Sequence, residues 1–137
     1  MPRFDIIKIE ENGRIDVSDD FAYDVGLLEG SYFLLEINSE LKEINLERIA
    51  IPGKDLLEVE MVAEDKPGVL SKINNIIGGH GANIMFNEAE EIQGTSRAAI
   101  VSILEVSDMN TSIEELKKEL KAVEDVDEIY LRHLDEG

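Results

Sequence analysis

The chain contains no cysteine, so disulfides, thiol catalysis and thiolate metal sites are excluded. Histidine is nearly as scarce. His80 and His133 are the only two, and neither has a second ligand at metal-binding spacing. Lysine and arginine number 13 against 31 acidic residues, which leaves a formal charge of −18. A field of that sign repels nucleic acid and anionic membranes and favours solubility. No apolar run approaches membrane-spanning length and the amino terminus has no signal-peptide core, so a cytoplasmic protein is expected. There is no nucleophile paired with a base, no phosphate loop ahead of a lysine and no dinucleotide fingerprint. Glu88, Glu90 and Glu91 lie close together, but in a chain this rich in glutamate they carry little acid–base signal. Neither catalysis nor a metal or other cofactor is expected.

What is present supports an ordered core. The 137 residues are 43% hydrophobic, enough for one domain or two small ones. The most informative stretch is Asp65-Lys66-Pro67-Gly68-Val69-Leu70, followed by Gly81-Ala82-Asn83-Ile84. Pro67 suits a first helical turn, because it lacks an N–H where backbone donors have no intrahelical partner. Gly68 places no side chain above that turn, so a small anion could approach the unpaired N–H groups. Asp65 has two readings: a cap on one of those donors, or a partner for a ligand's ammonium group. With so negative a charge overall, a carboxylate site must rely on these local amides. Gly78-Gly79-His80-Gly81 reads as a helix terminator and not a phosphate loop, since a strand follows it.

Periodicity supplies the elements around this corner. Leu57, Val59, Met61 and Ala63 recur at every second position, the pattern of a half-buried strand. Val69, Leu70, Ile73, Ile76 and Ile77 form one apolar helical stripe over 69–77. Strands follow from Asn83 and over 98–106. A second helix over 112–123 buries Ile113, Leu116, Leu120 and Val123 and is capped by Thr111 or Ser112. A last strand covers 128–134. The order is βαββαβ, an α+β ferredoxin-like arrangement with helices on one face of an antiparallel sheet.

On these residues the part from about Leu56 to Leu134 resembles an ACT domain, the small ligand-binding module of amino-acid metabolism. The resemblance implies a non-catalytic regulatory protein that senses a free amino acid at a site between subunits. Carried to matching positions, the ligand carboxylate would meet N–H groups near Gly68, Val69 and Leu70. Asn83 would bind the ligand's polar backbone, Ile84 would line the pocket, and Asp65 would cap the helix or hold the ammonium. A regulated biosynthetic enzyme is the implied partner. His80 is expected to be exposed or to touch the ligand, and His133 to be a strand-end surface residue.

In the first third, strands are expected over 4–9 and 14–17 around the hairpin signal Asn12-Gly13. Ser18 would cap a helix over 19–25 that Gly26 ends, and strands over 32–37 and 43–49 would follow. Pro52-Gly53 marks a boundary, giving domains 1–53 and 54–137. Gly13-Arg14-Ile15-x-Val17, Val25-Gly26-Leu27-x-Glu29-Gly30 and Lys42-Glu43-Ile44-x-Leu46 resemble a swapped-hairpin domain of the SpoVT/AbrB type. That resemblance implies a small, mostly-β dimerisation domain, and with the ACT-like part a homo-oligomer, dimer or tetramer. DNA binding does not follow, because residues 1–53 hold five basic against 12 acidic side chains, a net of −7. The alternative is an amino-acid-responsive transcription regulator that binds DNA through this first domain.

Overall fold

A computed structural model describes residues 2–134. The chain divides into two units, Met1–Gly53 and Lys54–Gly137.

In the first unit, a single 3-10 turn at Glu11–Gly13 carries Asn12 and Gly13 in left-handed backbone, with φ of 61° and 75°. That is the turn expected of Asn-Gly, and Glu10 N–H donates to Arg14 C=O across it at 2.9 Å. The flanking segments, however, form no strand among the described residues. Helix α1 (Asp19–Val25) follows Ser18, which occupies the cap position without a side-chain hydrogen bond. Gly26 ends the helix in left-handed backbone. Strands β1 (Tyr32–Asn38) and β2 (Glu43–Ala50) pair antiparallel and are the unit's only sheet among the described residues. The Asn38 side chain closes their turn by accepting from Leu41 N–H at 3.1 Å. The unit buries very little. Among its described residues only Gly26 and Ala50 are buried.

In the second unit, β3 (Leu56–Glu64), α2 (Val69–Gly79), β4 (Asn83–Glu91), β5 (Arg97–Glu105), α3 (Ile113–Lys121) and β6 (Val126–His133) follow in that order. The sheet order is β4-β5-β3-β6, antiparallel throughout, which is the expected ferredoxin-like topology. One face of β3 (Leu57, Val59, Met61, Ala63) packs with Ile100, Leu104 and Ile129 against Val69, Ile73 and Ile77 of α2 and Leu116 and Leu120 of α3. Leu70, Ile76 and Ile113 lie partly buried at its margin. Each large aliphatic side chain so buried contributes about 1.5–3 kcal/mol, and these contacts hold both helices on one side of the sheet. Ser112 caps α3, its hydroxyl accepting from Glu115 N–H at 3.1 Å.

Two local expectations give way. Helix α2 is not capped by Asp65: Gly68 is its N-cap residue, with φ of 88° and no side-chain hydrogen bond, so Pro67 precedes the helix. The left-handed step at Gly68 turns the chain into the helix without a cap. At the other end α2 continues through Gly78 and Gly79 and stops at His80. The turn that follows depends on Gly81, which has φ of 82° and where a Cβ would meet the Asp108 carbonyl at 3.2 Å.

Candidate functional site

The β3–α2 corner is an exposed helix start. Val69 is buried in the core and offers only its backbone, Leu70 is half-buried, and Asp65 and Gly68 are exposed. No side chain caps the first turn, and a Cβ built on Gly68 would meet nothing within 4 Å. The donors at a helix start carry its positive dipole end, and here Val69 N–H donates back to Lys66 C=O at 3.4 Å. Asp65 anchors the corner by its backbone, donating to Ser96 C=O at 2.8 Å.

A cluster of charge stands beside these amides. Lys66 Nζ lies 2.9 Å from Asp125 Oδ1 and Lys72 Nζ 4.0 Å from Asp125 Oδ2. The hydrogen bond to Asp125, and its charge, hold the Lys66 ammonium above the ordinary lysine value. Asp125 is itself fixed by its backbone, accepting from Glu64 N–H at 2.8 Å. Sequence reasoning missed this clamp. Lys72, one helical turn after Gly68, was a usable signal, but Asp125 arrives from the α3–β6 turn and leaves no local trace.

Asn83 and Ile84 are at the other end of the sheet. Glu64 pairs with Arg97 at the start of β5, whereas Asn83 pairs with Glu105 at its end. Between the two places runs α2, whose 11 residues span about 16 Å. A single chain therefore does not bring Asp65, Gly68, Val69 and Leu70 together with Asn83 and Ile84. Ile84 faces the helices and packs on the core, and Asn83 is exposed.

Around Asn83 the structure adds a buried carboxylate. Glu105 is only 5% exposed and accepts from Ser107 N–H at 2.8 Å. The Ser107 hydrogen bonds hold its carboxyl below the ordinary value against the opposing effect of burial, and Lys54 and Asn83 add to this. His80 is not free. Its Nδ1 lies 3.0 Å from Asn110 Oδ1, its Nε2 bonds the Glu119 carboxylate, and its carbonyl accepts from Asn110 N–H at 2.8 Å. It clips the end of α2 to α3 and to the loop before it. His133 is the last residue of β6, half-buried opposite Leu57. Among the described residues no three His, Asp or Glu side chains gather as a metal-holding group, and no helix is long and apolar enough to cross a membrane.

Residues 57–125 match the ACT domain family. A UPF0735 ACT domain-containing protein of Caldicellulosiruptor saccharolyticus is 35% identical over 77 residues, 56% of this chain and 50% of that protein. The chain thus spans about half the length of this curated relative. Among solved structures, the ACT domain of GTP pyrophosphokinase from Chlorobium tepidum aligns with a TM-score of 0.46 at 17% identity, over 58% of this chain and 99% of that one. An uncharacterized protein from Thermotoga maritima aligns with a TM-score of 0.47 at 18% identity, over 59% of this chain and 98% of that one. With the matched segment covering half of its length, the chain belongs to the ACT domain family.

Proposed function

We propose that this chain is a non-catalytic regulatory protein that binds a free amino acid at the β3–α2 corner and reports it to a biosynthetic enzyme. Family membership supports a small-molecule-binding regulatory role. The observation that carries the amino-acid reading is the uncapped start of α2 behind Gly68. It is a first turn with no side-chain cap at a positive dipole end, with open space above Gly68 and with Lys66 and Lys72 nearby in sequence, its Val69 N–H held only by a long 3.4 Å bond to the Lys66 carbonyl. The ligand carboxylate sits on the amides near Gly68, Val69 and Leu70. Its ammonium group falls to Asp65 or to Asn83, and Asn83 and Ile84 belong to a second copy of the chain. The site works only in a homo-oligomer, dimer or tetramer. The apolar, uncovered hairpin of the first unit supports such an assembly.

Calorimetric titration of the whole chain against the twenty amino acids tests this reading. Binding is expected for one amino acid or a small group, and Gly68→Asn should abolish it, because asparagine tolerates left-handed backbone while its side chain fills the open space. Heat from none of the twenty, or equal binding by the variant, rejects the corner as the site.

A further inference from the structure

Strand β5 is apolar on both faces. It reads Ala98-Ala99-Ile100-Val101-Ser102-Ile103-Leu104. An antiparallel strand with one solvated face alternates apolar and polar, whereas a nearly continuous apolar run belongs to a strand covered on both sides. Here α2 and α3 cover one side only. On the other, Ile103 and Glu105 are buried toward the end of the strand, whereas Val101 and Ala99 lie half-buried, and Ala99 stands opposite Val62 of β3, also half-buried. This apolar strip runs between rows of carboxylate. Glu88 and Glu90 of β4 stand opposite Val101 and Ala99, Glu60 of β3 stands opposite Val101, and Glu128 of β6 stands opposite Val62. None of these four forms an ion pair among the described residues. Two cations of these strands are already committed, Arg132 to Glu58 and Arg97 to Asp127. Tyr130 is 61% exposed opposite Glu60, and these two with Glu58, Leu131 and Arg132 line a groove of about 290 Å³. An aromatic face beside unpaired carboxylate suits a lysine or arginine side chain.

We infer that the open part of this sheet face, around Ala99 and Val101, docks an amphipathic helix of another protein, apolar along its contact stripe and bearing Lys or Arg along its edges. A helix laid on the open face completes a helix–sheet–helix layering. Charge chooses the occupant. A second copy of the same face would set carboxylate rows against carboxylate rows, a like-charge juxtaposition that suppresses pairing. A basic edge meets all of them favourably. The inference is independent of any amino acid at the β3–α2 corner.

The test is fluorescence anisotropy at near-physiological salt, with the full chain and a labelled helical peptide carrying a leucine stripe between lysine rows. Saturable binding is expected. Val101→Asp and the pair Glu60→Lys/Glu88→Lys should each weaken it by about tenfold or more, the loss typical of a contact at the centre of an interface. Glu114→Lys/Glu115→Lys changes the net charge equally on exposed positions of α3, on the other side of the same sheet, and should alter affinity no more than about twofold, as a surface charge away from the contact does. No binding by the unaltered chain, or equal weakening by the two charge pairs, overturns the inference. So does a fall in the chain's own sedimenting mass on Glu60→Lys/Glu88→Lys or Val101→Asp, which would give the face to a second copy. The charge pairs decide the matter even if Val101→Asp fails to fold.

Discussion

A histidine whose two ring nitrogens both face oxygen acceptors can donate to both only as the doubly protonated imidazolium. His80 is in that position, between Asn110 and Glu119. The hydrogen bond to Asn110 is the leading cause that raises its pKa above the ordinary 6.5, with Glu119 adding to it against the effect of burial. Since the folded value lies above the unfolded one, the clip contributes its full stability below pH 6.5 and loses it as pH rises through the folded value. Urea unfolding across that range should therefore show a decline in the unaltered chain that His80→Gln lacks, and parallel curves would reject the clip. Glu105 acts in the opposite sense. Its lowered carboxyl adds stability above the unfolded value near 4.5, which is lost as pH falls through the folded value. At Gly68 the left-handed backbone makes a β-branched replacement costly, so Gly68→Val should lower stability by about 1–2 kcal/mol in denaturant titrations, and Gly68→Asn by less. Gly68 was legible because Pro-Gly stands directly before an apolar helical stripe. The partners of Lys66, His80 and Glu105 were not: Asp125 and Glu119 lie tens of residues from the groups they bind, and the Ser107 amide is positioned by the bend after β5.

Among the elements, α2 and α3 were the most readable, because a 3.6-residue stripe has only one way to face a sheet. Ile73 is fully buried at the centre of the α2 stripe, and Ile73→Ala should cost about 2–5 kcal/mol in the same titrations, since the cavity it leaves is walled by sheet and helix. The segments flanking Asn12-Gly13 show where pattern reading ended. Alternation identifies a face that wants covering, but not what covers it, and a turn can form without the ladder it would serve. The β1–β2 hairpin poses the same question more sharply. Leu35 stands opposite Leu46 and Ile37 opposite Ile44, so one face of the ribbon is a block of four aliphatic side chains, all exposed. The other face carries Glu36, Asn45 and Glu47. If that block is the seam of a homo-oligomer, Ile37→Asp with Ile44→Asp should reduce the mass seen by light scattering toward the single-chain 15.3 kDa. An unchanged mass would place the seam elsewhere.

For the molecule as a whole, the charge of −18 sets the terms on which anything approaches. Duplex DNA should give no mobility shift even at low salt, where phosphate-dominated binding is strongest, and a shifted band there would revive the DNA-binding reading. Self-association should tighten as salt screens the repulsion between copies. The helix that separates Gly68 from Asn83 has a further consequence, in thermodynamic linkage. An effector that touches the α2 start of one copy and Asn83 of another binds only where two copies meet. Effector and assembly then strengthen each other by the same factor. Dilution alone would weaken the apparent affinity for the effector, and the effector would draw dilute chains together. The amount of protein in the cell, as much as the amount of amino acid, would then set the point at which the signal is given.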